Sequence, residues 1–152
     1  MTAAGSGHGR GPRSVPGLAV GLRAAVRAPV TEADTALAMG SGDVPVLATP
    51  RLLALAEAAA VTAIAPQLGP GLTSVGTSAA LEHRRASPVG AQIVVDAELT
   101  EVDGTRLVFS FIARAADTDA DVVIGAGTVE RVVLDRERFL ARAAAAAPGR
   151  SH

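Results

Sequence analysis

The segment between Thr49 and Pro66 constrains the fold of this chain more than any other segment. It opens with Thr49, a residue type suited to capping a helix, and Pro50, which suits the first helical turn. From Leu52 to Ala65 the residues are apolar on every side, interrupted by Glu57 and Thr62. Such a helix is expected to be buried all round, and it is too short to span a bilayer. The pattern predicts one central helix that ends at Pro66.

The remaining segments have the alternating pattern of β-strands. Thr31 is expected to cap a short helical turn, and Asp135 is expected to cap a C-terminal helix. Asp103 and Gly104 predict a tight hairpin, and a second turn is expected at 88–90. One strand is predicted before the central helix and four after it, over residues 18–30, 72–85, 93–100, 107–113 and 122–134.

This order predicts an α+β fold of the hot-dog type, in which a curved antiparallel sheet wraps one long central helix. One sheet covers only one side of its helix, so we expect the chain to form a homodimer through a sheet edge. Residues 1–17 are rich in Gly, Pro and Ser, and we interpret them as a disordered leader. The domain is expected over 18–142, with a flexible tail over 143–152.

The composition excludes several classes of function. The 152 residues include no Cys and no Lys, which excludes thiolate catalysis, Cys-ligated metals and lysine Schiff bases. There is no Trp or Tyr and the net charge is −1, so a nucleic-acid surface is not expected. No dinucleotide-binding loop and no set of residues at metal-ligand spacing occurs, so neither cofactor nor metal is predicted. The N-terminus lacks the apolar stretch of a secretory signal, so a cytoplasmic protein without membrane association is expected.

Three polar residues in the predicted core could carry chemistry. His83 is the one histidine that the predicted fold positions, on the strand face that also carries Val75, Thr77, Ala79 and Leu81. It is either a hydrogen-bonded core residue or a base. Glu57 is costly to bury as an isolated charge, so it either pairs with an arginine or acts as a nucleophile or base. Thr49 is either a simple helix cap or a hydroxyl placed where an oxyanion would bind.

The segment LATPRLLALAEAAAVTAIAPQLGPGLTSVGTSAALEHRRASPVG resembles the core of the fluoroacetyl-CoA thioesterase family of hot-dog proteins. That family has a threonine before the helix, a glutamate within it and a histidine on the next strand. Glu57 follows Thr49 by eight residues and precedes His83 by 26, and both intervals match the family pattern. Gly76 in VGT and Arg131 in GAGTVERVV match an active-site glycine and arginine of the family.

The resemblance implies that Thr49, Glu57 and His83 form the catalytic group. Glu57 would attack the thioester carbonyl or activate water, and His83 would act as general base and assist departure of the thiolate. Thr49 would help to organise the site. Gly76 would line the acyl pocket, and Arg131 would offset the charge of Glu57.

The predicted function is hydrolysis of a small or medium acyl thioester, on CoA or on an acyl-carrier protein. The fluorine-selective member of the family is associated with a Phe-bearing lid, whereas MGSGDVPVLA here has no aromatic residue, and Val129 replaces a second histidine. A broad acyl range is therefore expected. A non-catalytic acyl- or metabolite-binding dimer is the main alternative. A hydratase or dehydratase is disfavoured because no Asp lies between Asp43 and Asp96.

Overall fold

A computed structural model describes residues 13–117 and 122–148. Its five strands are β1 (Arg23–Pro29), β2 (Leu72–His83), β3 (Gln92–Asp103), β4 (Arg106–Ala115) and β5 (Val122–Asp135). Its helices are α1 (Ala36–Met39), α2 (Thr49–Ile64) and α3 (Arg136–Ala145), with single 3-10 turns at Glu32–Asp34 and Ala65–Gln67.

The strands form one antiparallel sheet in the order β1-β3-β4-β5-β2. The predicted alternation is confirmed on β3 and β4, where every second residue from Ile93 to Leu99 and from Leu107 to Ala113 is buried. The predicted hairpin at Asp103–Gly104 is present, and Gly104 has a φ of 62°, which a residue without Cβ adopts readily. The sequence pattern therefore predicted the central strands and their inward face.

Helix α2 packs on the inward face of this sheet through one side only. Its buried residues are Leu52, Leu55, Ala56, Ala59, Ala60, Ala63 and Ile64. The opposite side is exposed in the single chain, at positions that include Ala54, Ala58 and Val61. The prediction that this helix is buried all round is therefore wrong for one chain, because one sheet cannot cover both sides of its helix.

Strand β2 lies at the edge of the sheet and contains a β-bulge. Its register with β5 shifts between Gly76 and Ser78, which leaves Thr77 without a partner in the ladder. An extra residue reverses the alternation, so Gly76 faces α2 before the bulge and His83 faces it afterwards. The prediction that Val75 shares the face of His83 is wrong for this reason: Val75 pairs with Val132, next to the inward pair of Gly76 and Arg131.

The segment before α2 is fastened to the segment after β2. Thr31 and Asp34 form a capping box at the 3-10 turn, which confirms the prediction that Thr31 caps a short helical turn. Further along, the Leu47 amide donates to the Ser87 carbonyl at 2.8 Å, and Val46 forms a bridge with Pro88. These bonds bring the loop 41–47 beside the residues that come after His83.

The predicted ends of the domain lie partly outside the described residues. Residues 1–12 and 149–152 are not described, and neither are residues 118–121, most of the loop predicted before β5. Val15 is 8% exposed and belongs to the core cluster, although composition assigned it to the leader. At the other end, α3 continues to Ala145, and its predicted cap is confirmed by a bond from the Arg138 amide to the Asp135 side chain. Within the described ranges, no helix is both long and apolar enough to cross a membrane.

Gly127 allows β2 to approach β5 closely, and this contact provides a test of the fold. A Cβ at Gly127 would overlap the carbonyl oxygen of Ala80 on the neighbouring strand. We expect Gly127→Ala to lower the free energy of unfolding by about 1–3 kcal/mol, the usual cost of overpacking. Urea denaturation would measure it, with Ala126→Ser as a control expected to stay within about 0.5 kcal/mol. Equal stability of Gly127→Ala and the parent chain would contradict the described pairing.

Candidate active site

Thr49 and His83 form a direct hydrogen-bonded pair. Thr49 Oγ1 lies 2.8 Å from His83 Nδ1. The helix-capping position is held by Ala48, and Thr49 is already the first residue of α2. The prediction of Thr49 as the cap is therefore wrong by one residue, and its hydroxyl is directed to the imidazole instead of to the helix end.

The second ring nitrogen of His83, Nε2, differs from Nδ1 in its surroundings. Nε2 is buried, and no group in the described part of the chain forms a hydrogen bond with it. Burial lowers the pKa of His83 below its ordinary value of 6.5, and the backbone of Arg85 opposes this to a smaller extent. The imidazole is therefore neutral at pH 7. If Nδ1 donates to the Thr49 hydroxyl, Nε2 carries a free lone pair; if Nδ1 accepts from that hydroxyl, Nε2 carries the proton.

Glu57 belongs to a second group of contacts, centred on Arg131. The Arg131 Nη1 atom donates to Glu57 Oε2 at 3.1 Å. Arg131 Nε donates to Ser74 Oγ and Arg131 Nη2 donates to the Ser74 carbonyl oxygen, each at 2.9 Å. The Arg131 side chain is 9% exposed and that of Glu57 is 39% exposed. Burial lowers the pKa of Arg131, and the nearby Glu57 carboxylate opposes that shift.

Gly76 completes this group because it leaves room for the carboxylate. A Cβ at Gly76 would lie 2.5 Å from Glu57 Oε2 and 3.5 Å from Arg131 Nη1. The predicted pairing of Glu57 with an arginine and its closeness to Gly76 are thus both found. Ser74, which holds the guanidinium through two bonds, was missed, since a serine within a strand carries no distinguishing sequence signal.

The five predicted site residues therefore fall into two groups on one side of the sheet. Thr49 and Glu57 are eight residues apart on α2, which corresponds to about 12 Å along a helix axis. No hydrogen bond of the described residues joins Glu57 to Thr49 or His83.

A cavity of about 310 Å³ opens beside the Thr49–His83 pair. The loop 41–47 forms one wall and residues 84–86 form the other. The loop contributes Ser41, Gly42, Asp43, Val44, Val46 and Leu47 and, as its sequence predicted, no aromatic side chain. Val129, at the position noted for a second histidine, is 2% exposed and lies in the core. Across the described ranges, no group of three or more His, Asp or Glu residues could hold a metal ion.

A five-stranded antiparallel sheet that packs on one long helix defines a protein of the hot-dog class, and here a histidine, a threonine, a glutamate and an arginine lie beside that helix. A hot-dog-like protein from Thermanaerovibrio acidaminovorans has the same fold, with a TM-score of 0.75 and 22% identity over 86% of this chain and 94% of its own.

Two further comparisons and a family model specify the family. The model of the fluoroacetyl-CoA-specific thioesterase family matches residues 30–137. The fluoroacetyl-CoA thioesterase of Streptantibioticus cattleyicolor is 41% identical over 97 residues, which are 64% of this chain and 67% of that protein. A variant of the fluoroacetyl-CoA thioesterase solved with acetyl-CoA has a TM-score of 0.79 and 33% identity, over 86% of this chain and all of its own. The chain belongs to the fluoroacetyl-CoA-specific thioesterase family.

The buried imidazole predicts a pH dependence with a definite sign. Because burial lowers the pKa of His83, its ring protons should titrate by NMR with a midpoint below 6.5, and His83→Gln would identify the resonance. The contribution of His83 to the free energy of unfolding should be complete above pH 6.5 and should decrease as the pH falls through the lower, folded-state pKa. A midpoint above 6.5 would contradict the described burial.

Proposed function

We propose that this acyl-CoA thioesterase hydrolyses small and medium acyl groups without strict selectivity for a fluorinated one. Water is added across the thioester, so the C–S bond breaks, the acyl carbon gains oxygen, and the products are a free acid and a thiol. The observation that carries the proposal is the His83 imidazole, with Nδ1 held by Thr49 and Nε2 buried without a hydrogen-bond partner among the described residues. A base held in this way is ready to move a proton at a bound thioester.

His83 is proposed as the general base that later returns a proton to the departing thiolate. A proton on Nδ1, donated to Thr49, leaves the Nε2 lone pair free to accept one from water. The lowered pKa of His83 supports this role because it keeps the base unprotonated at neutral pH. Thr49 is proposed to orient the ring and select its tautomer.

Glu57 is proposed to attack the carbonyl or to activate the attacking water. In the first route the carboxylate oxygen bonds to the acyl carbon, the thiolate leaves, and water then hydrolyses the mixed anhydride. In the second route Glu57 removes a proton from the water that attacks directly. Its partial exposure and its single bond from Arg131 leave one carboxylate oxygen free for either step.

Arg131 and Gly76 are proposed to keep this carboxylate in place. Arg131 is held by Ser74 independently of Glu57, so it balances the negative charge without moving with the carboxylate. The absence of a Cβ at Gly76 leaves the room that Glu57 Oε2 itself occupies, so Gly76 is proposed to line the acyl pocket beside this carboxylate.

A homodimer is proposed because one chain leaves two surfaces uncovered. Strand β2 has a neighbour on one side only, and residues 76–80 on it are exposed. The outer side of α2 is apolar and exposed at Ala54, Ala58 and Val61. A long edge strand with few charges is a template for pairing with a second strand.

The lining of the cavity is proposed to determine which acyl groups the site accepts. The cavity wall formed by loop 41–47 has no aromatic side chain, which supports a site that accepts several acyl groups. CoA is the proposed carrier, and an acyl-carrier protein is the alternative carrier. The proposed substrate is also consistent with the cytoplasmic location predicted from the sequence.

A panel of thioesters tests the function. Release of free thiol from acetyl-, fluoroacetyl-, butyryl- and hexanoyl-CoA should occur at comparable rates, and the same acyl groups on a carrier protein test the carrier. Binding of acyl-CoA without thiol release would favour the non-catalytic alternative. A preference of many orders of magnitude for fluoroacetyl-CoA would contradict the broad acyl range.

Glu57→Gln separates a catalytic role from a structural one. We expect kcat to fall by roughly 10² or more, the scale of losing a positioned base or nucleophile. The free energy of unfolding should change by no more than about 1 kcal/mol, because Glu57 is partly exposed and the amide oxygen still accepts from Arg131. Glu82→Gln, on an exposed carboxylate of β2, is the matched control and should keep full activity. A fully active Glu57→Gln would contradict the assignment.

Light scattering tests the proposed homodimer. The mass in solution should be at least twice the 15.2 kDa of one chain at micromolar concentration. A stable monomer across the concentrations used for turnover would contradict the pairing through β2.

A further inference from the structure

Two arginines come directly after His83, and the structure gives them different surroundings. Strand β2 ends at His83, and the backbone amides of Arg84 and Arg85 both donate to the carbonyl of Ile124, at 2.8 and 3.1 Å. These bonds fix the backbone of both residues at the mouth of the cavity that contains the Thr49–His83 pair. Both arginines therefore belong to the lining of that cavity.

Arg84 is already paired, whereas Arg85 is not. The Arg84 Nε atom donates to Glu82 Oε1 at 3.1 Å. Arg85 is exposed and forms no ion pair with any residue in the described ranges. An arginine left without a carboxylate partner retains its full set of donors for a ligand.

Arg85 also lies between two cavities. It lines the cavity beside Thr49 and His83 and a second cavity of about 620 Å³, lined by residues that include Pro88, Val89 and Ile124. Each cavity has one carboxylate in its wall, Asp43 in the first and Asp117 in the second. The Asp117 carboxylate accepts a hydrogen bond from the Gln92 amide at 3.2 Å. Arg85 is therefore the charged residue that the linings of the two cavities share.

We infer that Arg85 binds a phosphate at the far end of the pantetheine arm of the thioester substrate. This inference rests on the proposed function, since it concerns how the carrier end of the substrate is held. A guanidinium offers two parallel N–H donors that match two phosphate oxygens, and it keeps its charge at any pH of interest. With the acyl group at the Thr49–His83 pair, the arm crosses Arg85 and the second cavity holds the part of the carrier beyond the arm. The volume of that cavity is within the usual range for a small-molecule site.

The phosphate could belong to two kinds of carrier. CoA carries a phosphate directly on its pantetheine arm and further phosphates on the nucleotide, whereas a carrier protein has only the first. Three substrates with one acyl group distinguish these sources: acyl-CoA, acyl-4′-phosphopantetheine and acyl-pantetheine, which has no phosphate.

Arg85→Gln is the test variant, and its control is Arg27→Gln, on an exposed arginine of β1 that lines neither cavity. We expect Arg85→Gln to raise KM for acyl-CoA about tenfold with little change in kcat. A contact with the phosphate contributes the same binding energy to the bound substrate and to the transition state, so its loss raises KM only. KM for acyl-pantetheine should not change. If KM for acyl-4′-phosphopantetheine rises as much as KM for acyl-CoA, Arg85 contacts the phosphate on the pantetheine arm. If KM rises for acyl-CoA alone, Arg85 contacts a phosphate of the nucleotide. Arg27→Gln should leave all three KM values near those of the parent chain.

Two results would overturn the inference. One is an equal effect of Arg85→Gln on acyl-pantetheine, which would indicate a structural role. The other is an equal effect of Arg27→Gln, which would indicate a general influence of positive charge. If no thioester is hydrolysed, the proposed function fails, and calorimetry then tests Arg85 separately. Free CoA should bind the parent chain more tightly than pantetheine does, and Arg85→Gln should abolish that difference; equal binding of CoA and pantetheine by the parent chain would contradict the inference.

Discussion

The packing of α2 against the inward face of the sheet is the interaction on which the rest of the structure depends. Leu52, Ala56 and Ile64 are fully buried there, opposite strands that bury Phe109 and Phe111. Because four of the seven buried residues of the helix are alanine, its backbone can lie close to the sheet. That packing places the first residue of α2 beside the end of β2 and places Glu57 two turns further on. Apolar contacts thus determine the positions of the polar groups.

Strand β2 supplies Gly76 and His83 to the site, and within the described sheet it is hydrogen-bonded to one neighbour, β5. The bulge at Thr77 allows both Gly76 and His83 to face α2, although they are separated by an odd number of residues. Arg131 then links β5 to β2 through Ser74, so the guanidinium near Glu57 is also a contact between strands. A change in this register would move the imidazole away from Thr49.

The elements of the fold were largely predictable, whereas several details of the site were not. Alternation identified the buried residues of β3 and β4, and the Asp135 cap was recognised from its residue type. The cap at Thr49 was misplaced by one residue, because a threonine followed by proline fits both the capping and the first helical position. Its hydroxyl is engaged by His83, which lies 34 residues away in sequence, and no local pattern reports such a contact.

The sequence by itself determined the order of helix and strands and the few polar residues that have no place in an apolar core. These features arise from local periodicity and from the cost of burying a charge. Tertiary structure alone decided that Thr49 pairs with His83 and that Glu57 and Ser74 share Arg131. It also decided that, within the described ranges, Arg84 has a carboxylate partner and Arg85 has none. Hydrogen bonds and ion pairs depend on distances of a few tenths of an ångström between elements that are remote in sequence. Those distances are set by the packing of α2 and by the bulge in β2.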